Sequence, residues 1–288
     1  MMQGILPAIV TPLDENEGLL ADSFERLIAR YYTAGAHGLY VCGNTGEGLL
    51  LPVELRETAA GIAVRMSAAG KQQVIVHVGA HRQADAIRLA KHASRIGATA
   101  ISSLPPGSGY GFPETKAYYQ ALAAVSDVPL LVYHFPAIAS FSLAQLEELC
   151  AIPGVAGLKF TSFDLYSLRQ LLLGGDRIVF NGHDEVMAPG LLMGAHGGIG
   201  STYNLMPELF VALWNHARAG QWNDAIAVQD RINRLIRILL DYPLVPAIKK
   251  VLTAHHGIPC GNAVAPRTVL TEEQSSSLLA RVDAWRQT

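Results

Sequence analysis

Cysteine is scarce: Cys42, Cys150 and Cys260 are all that a 288-residue chain offers. Three thiols so widely spaced make neither a disulfide framework nor a cysteine-rich zinc site, and a reducing compartment is the plain reading. Runs of lysine and arginine are missing too, with 22 basic side chains against 24 acidic ones and a formal net charge of -2. Neutralising a phosphate backbone or an anionic membrane surface takes a basic patch, so nucleic acid and membrane are not the expected partners. No segment supplies the ~20 uninterrupted apolar residues of a bilayer span. Met1 to Thr11 lacks the basic start and long apolar stretch of an export signal. The expectation is a cytoplasmic protein whose partner is a small molecule or another copy of itself.

What is present is a regular alternation. Short apolar runs rich in β-branched residues fall at 4–10, 37–42, 73–78, 98–103, 129–134, 154–160, 177–181 and 196–200. Segments of helical spacing lie near 22–34, 53–69, 83–96, 114–126, 142–150, 164–173, 184–194 and 204–217. Ser142 and Asp164 are placed as N-caps, and Pro52 stands where a helix can begin. Near-continuous apolar strands, each followed by a helix, require a parallel sheet covered by helices. Eight such units predict an α/β fold, a (β/α)8 TIM barrel over residues 1–220. An open doubly wound sheet is the competing architecture, but residues 11–18 read TPLDENEG where its GxGxxG fingerprint belongs. After residue 220 the strand pattern stops, and 222–240, 244–256 and 272–286 read as helices. Residues 221–288 are therefore expected to be a C-terminal helical extension packed on the barrel.

A barrel carries its site at the C-terminal ends of the strands and in the loops that follow. Lys159 ends the apolar strand VAGLK, where an ammonium is costly. A desolvated primary amine can lose its proton, attack a ketone and form a Schiff base, whose iminium then draws electrons. Equally, a strand-end lysine can reach out to solvent or pair with a loop carboxylate. Tyr133, ending a neighbouring strand, can relay protons, or simply pack its ring. The turn Gly43-Asn44-Thr45-Gly46-Glu47-Gly48 offers N–H groups, a hydroxyl and an amide to a carboxylate or phosphate, unless it is only a tight turn. Asn181-Gly182-His183-Asp184-Glu185 can accept hydrogen bonds from a polyol, bind a metal, or merely put acids at a helix start. The GGIGST loop at 197–202 lies where barrels bind phosphate. His77, His134, His183 and His196 stand at or beside strand ends, without HExxH or paired ligand spacing, and the expected metal content is none.

These motifs together resemble those of the N-acetylneuraminate lyase and dihydrodipicolinate synthase superfamily. GNTGEG is similar to its G-[ST]-TGE motif, Tyr133 in LLVYHFPA resembles its catalytic tyrosine, and Lys159 in GLKFTS its Schiff-base lysine. The order of elements matches over essentially the whole chain, three-helix tail included. The resemblance implies a class I aldolase without metal or cofactor. Lys159 would form an imine with pyruvate or another 2-oxo acid, Asn44 and Thr45 would hold the carboxylate, and Tyr133 would shuttle the proton.

Within the superfamily the sequence leans toward the sialic acid lyase branch, whose contacts to the sugar tail match Thr161, Gly182, Asp184, Glu185 and Ser201. Synthases tend to carry an arginine shortly after the tyrosine, and FPAIAS has none. Two departures stand out. Asn44 replaces a serine or threonine, removing a hydroxyl from the relay to Tyr133. In LPPGSGYGF, Gly107 and Ser108 fall where many members place a tyrosine that reaches a neighbouring subunit, and Tyr110 comes about two residues late. The expected activity is cleavage of N-acetylneuraminate or a close analogue to an acylmannosamine and pyruvate, in a homotetramer by resemblance. The alternatives are a 2-keto-3-deoxy-sugar-acid aldolase or dehydratase, a synthase-like condensation, a metal-dependent aldolase, and a metabolite-binding barrel without catalysis.

Overall fold

Each apolar run forms a strand: β1 Gly4–Pro7, β2 Gly38–Val41, β3 Gln73–His77, β4 Ala100–Ser103, β5 Leu130–His134, β6 Val155–Phe160, β7 Ile178–Asn181 and β8 Gly197–Gly200. The computed structural model describes residues 2–68, 72–107 and 109–287, so Met1, Ala69, Ser108 and Thr288 of the sequence expectations lie outside it. All ladders are parallel, in the order β1-β8-β7-β6-β5-β4-β3-β2. An isolated bridge between Ala8 and Tyr40 joins the two ends, giving the TIM barrel.

The helices α1 Ala21–Thr33, α2 Val53–Ala68, α3 Gln83–Arg95, α4 Phe112–Ala124, α5 Leu143–Cys150, α6 Leu165–Leu173, α7 Met187–Leu192 and α8 Pro207–Arg218 follow the strands in turn. The tail contributes α9 Trp222–Leu239, α10 Leu244–His256 and α11 Glu272–Arg286. Ser142 caps α5 in a reciprocal capping box with Gln145, and Asp164 caps α6 by accepting from the Ser167 N–H.

Two helices start later than their spacing suggests, for local reasons. The carbonyls of Asp184 and Glu185 accept from the side chains of Gln229 and Asn233 on α9, so this stretch forms a 3-10 turn and α7 begins only at Met187. Residues 202–204 likewise make a 3-10 turn, because the Asn204 amide is committed to Ala8 O, Ser201 O and Val10 N; Pro207 then opens α8. That same bond to Val10 N explains why β1 ends at Pro7 although residues 8–10 remain buried.

Strand side chains alternate between two apolar layers. Leu39, Val41, Val74, Val76, Leu130, Val132, Leu158 and Val179 face the helices, in one large core. Leu6, Tyr40, Ile75, Leu131, Tyr133, Phe180 and Ile199 fill the barrel interior. Lys159 follows Leu158 and precedes Phe160, both in the outer layer, so the two-residue period turns the lysine inward.

Candidate active site

Lys159 is the consequence of that parity: an amine inside an apolar barrel, only 4% exposed. In the β5–β6 ladder it stands directly opposite Tyr133. Its Nζ lies 4.0 Å from the Tyr133 ring centre and 4.4 Å from that of Tyr40, so two ring faces flank the nitrogen where water is scarce. His77 closes the cluster edge-on to Tyr133, with centroids 6.2 Å apart. Burial, reinforced by the charges of Arg56 and Lys159, holds the His77 imidazole well below its usual range. Its Nε2 accepts from the Leu104 N–H at 3.1 Å, consistent with a neutral ring.

Above this cluster is a cavity of about 200 Å3. All nine residues singled out from the sequence line it: Lys159, Tyr133, Asn44, Thr45, Thr161, Gly182, Asp184, Glu185 and Ser201. The loops after β2 and β8 meet where Thr45 Oγ1 and Ser201 Oγ lie 2.6 Å apart. Thr161 Oγ1 is buried and finds no hydrogen-bond partner among the described residues, which leaves a hydroxyl for a ligand.

Two glycines allow this close approach. A Cβ on Gly182 would sit 2.0 Å from Thr161 Oγ1, and one on Gly200 would sit 1.9 Å from Asp184 Oδ1. Asp184 is pinned through Oδ2, which accepts from the Thr202 N–H at 2.8 Å and the Thr202 hydroxyl at 2.6 Å. Burial raises its carboxyl to about 6, with the Thr202 bonds opposing the shift. For Glu185, burial pushes upward, but the hydrogen bond from His183, that from its own backbone N–H and the charge of His183 together outweigh it and leave this carboxyl below its usual range. The adjacent acids thus differ in kind: Asp184 is fixed by the turn after β8, whereas Glu185 lies beside a rim histidine whose ring stacks on Phe163 at 4.0 Å.

The other histidines scatter. His134 faces the outer layer against Phe160 and is lowered by burial to about 4. The half-buried His196 accepts from the Val179 N–H through Nδ1. Among the described residues no three His, Cys, Asp or Glu side chains gather as a metal-binding group. No helix among them is long and apolar enough to cross a membrane.

Sequence reasoning missed what the tail contributes. Ile236, Leu239, Leu240 and Leu244 form an apolar wall of the cavity. Gln229 bridges Asp184 O and the Ala188 N–H, holding the acidic turn in place. From the loop between α10 and α11, Arg267 reaches Asn44, and Lys249 of α10 pairs with Glu47 beneath the same turn. An amphipathic pattern in the tail signals only that α9 packs; nothing in it says against what.

Residues 1–285 match the model of the dihydrodipicolinate synthetase family. The N-acetylneuraminate lyase of Rhizobium meliloti (strain 1021) is 38% identical over 99% of this chain and 97% of that protein. The enzyme of the same name from Escherichia coli (strain SMS-3-5 / SECEC) is 36% identical over 87% of this chain and 86% of its own length. Among solved structures, the wild-type sialic acid aldolase of Ruminococcus gnavus superposes with a TM-score of 0.94 at 26% identity, covering 99% of this chain and 97% of the other. With a matching model over nearly its full length and relatives well above 30% identity, the chain belongs to the dihydrodipicolinate synthetase family.

Proposed function

We propose that this protein is a carbon–carbon lyase, a class I aldolase that cleaves N-acetylneuraminate or a close sialic acid analogue to N-acetylmannosamine and pyruvate. The observation that carries the reading is the ladder pair Tyr133 and Lys159, an amine and a phenol side by side in the barrel interior beneath a cavity lined by both polar and apolar side chains. The names of the relatives, lyases and aldolases of sialic acid, support the choice of substrate.

The chemistry follows from the groups present. The neutral amine of Lys159 adds to the C2 ketone of the open-chain sugar acid, and loss of water leaves an iminium. Tyr133, having given its phenolic proton to the hydroxyl that leaves as water, takes the proton of the C4 hydroxyl as the C3–C4 bond breaks, and the electron pair of that bond flows into the iminium to give an enamine. The new aldehyde is the acylmannosamine. Protonation of the enamine at C3 and addition of water then return pyruvate and the free lysine. Asn44 and Thr45 hold the carboxylate. Thr161, Gly182, Asp184, Glu185 and Ser201 receive the hydroxyl-bearing tail, and the apolar wall of Ile236, Leu239, Leu240 and Leu244 suits the apolar part of an acyl group.

The proposed enzyme has a barrel of residues 1–220 with an extension of 221–288, a cytoplasmic setting, and a homotetrameric assembly. Support for assembly comes from the exposed Phe163, Tyr166, Leu173 and Leu192 on and beside α6 and α7.

Incubation with N-acetylneuraminate is expected to release pyruvate and N-acetylmannosamine. Borohydride reduction in the presence of pyruvate is expected to add one reduced pyruvyl mass at Lys159 and none in Lys159→Ala. Turnover of 2-keto-3-deoxy-sugar acids alone would move the substrate elsewhere in the family. Activity that survives Lys159→Ala and is lost to a chelator would overturn the Schiff-base reading.

A further inference from the structure

Asn44 is exposed on its loop, and a primary amide there can present either its carbonyl or its NH2 to a ligand. Only the NH2 end can donate to a carboxylate. Arg267, between α10 and α11, settles which end is presented: its terminal nitrogen lies 3.4 Å from both Asn44 O and Asn44 Oδ1. A guanidinium has donors only, so the amide carbonyl turns to Arg267 and both Nδ2 hydrogens are left for the cavity that Asn44 shares with Lys159.

Arg267 is itself held from below. Its Nε stands 3.5 Å from Glu47 Oε2, and that oxygen also accepts from the Val264 N–H at 2.7 Å. The other Glu47 oxygen pairs with Lys249 at 2.7 Å, with both side chains out of solvent. Lys249 in turn donates to Asn262 O at 2.9 Å. A buried ion pair thus fixes the segment that delivers the guanidinium.

We propose that Arg267 is a positioning residue for the carboxylate of the 2-oxo acid: it orients the Asn44 amide, so the C-terminal extension sets pyruvate affinity without touching pyruvate. This rests on the 2-oxo acid lyase reading.

The test is a pyruvate titration of the full-length protein, read by calorimetry and, in parallel, by the fraction reduced onto the enzyme with borohydride. Arg267→Met is expected to raise the half-saturating pyruvate concentration about tenfold, the worth of one modest hydrogen bond. The plateau of adduct, the KM for the acylmannosamine in synthesis and the melting temperature should stay near wild type, because Glu47 keeps Lys249. Arg267→Lys should recover most of the affinity. In an Asn44→Ser background, where no amide needs orienting, Arg267→Met should add no further loss. Unchanged pyruvate affinity in Arg267→Met, or an equal loss in the Asn44→Ser background, overturns the proposal. Calorimetry reads carboxylate capture whether or not an imine forms, so a missing adduct with intact binding sinks only the Lys159 reading.

Discussion

Glu47 and Lys249 form an ion pair of 2.7 Å whose side chains are 0% and 1% exposed, joining the loop after β2 to the second helix of the tail. Burial lowers the Lys249 ammonium from its usual range, and the Glu47 carboxylate opposes that shift. Breaking one side of a buried pair leaves a charge with no counter-ion and costs about 3–5 kcal/mol, whereas removing both sides with matched volume is far milder. Lys249→Met is therefore expected to lower the melting temperature by on the order of 10 °C. Adding Glu47→Gln to it should recover a substantial part of the loss. Thermal unfolding of the two variants beside the wild type is the check, and an unshifted Lys249→Met would deny the pair its role.

Tyr133 can be separated from Lys159 because the proposed roles fall in different steps. Tyr133→Phe keeps the ring that lies 4.0 Å from the amine but removes the proton carrier. Adduct formation with pyruvate should persist while kcat for cleavage falls by roughly 10²–10⁴. Full activity in this variant would assign the proton to another group.

Asp184 gives a pH signature. Its carboxyl is raised by burial to about 6 from the ordinary 3.8, so between those values the folded state binds more proton than the unfolded one. Its contribution to stability is accordingly greatest below the lower value, declines as pH rises through the window, and is an unfavourable term above about 6. Asp184→Asn removes the titration while keeping an oxygen for Thr202. The stability of this variant relative to wild type should increase from pH 4 to 6 and then level off in urea unfolding series. A constant difference across that range would place the titration elsewhere.

Gly200→Ala puts a methyl 1.9 Å from Asp184 Oδ1, against a carboxylate that Thr202 prevents from yielding. Such overpacking costs about 1–3 kcal/mol. The expected kinetic effect is a higher KM for the full sugar acid with pyruvate affinity little changed, since the displaced acid faces the tail and not the keto acid. An equal loss for both ligands would mean that the whole loop has collapsed.

Much of this was legible in the chain. Eight apolar runs separated by helical segments specify a helix-covered parallel barrel, because a strand buried on both faces must be apolar throughout and a parallel partner requires a crossover. Lysine at a strand end, tyrosine at its neighbour's end and glycine-rich loops between named acids mark one rim, since barrel loops share that rim. Strand ends such as residues 8–10 were less clear, because a side chain from position 204 ends the ladder there and spacing does not encode such a partner.

The residue types and their order along the chain were enough to determine the barrel, and the resemblance of its motifs to a known family nominated nine residues that line one cavity. Whether Lys159 faced water or the interior was a matter of parity across a closed sheet, which a two-residue period decides only once the neighbours Leu158 and Phe160 are assigned to the outer layer. The hold of α9 on Asp184, of Lys249 on Glu47 and of Arg267 on Asn44 belongs wholly to the tertiary structure. Contacts between groups so distant along the chain leave no periodic trace in it; they exist because the helical tail must bury its apolar face against the barrel, and in doing so brings its polar side chains to the rim.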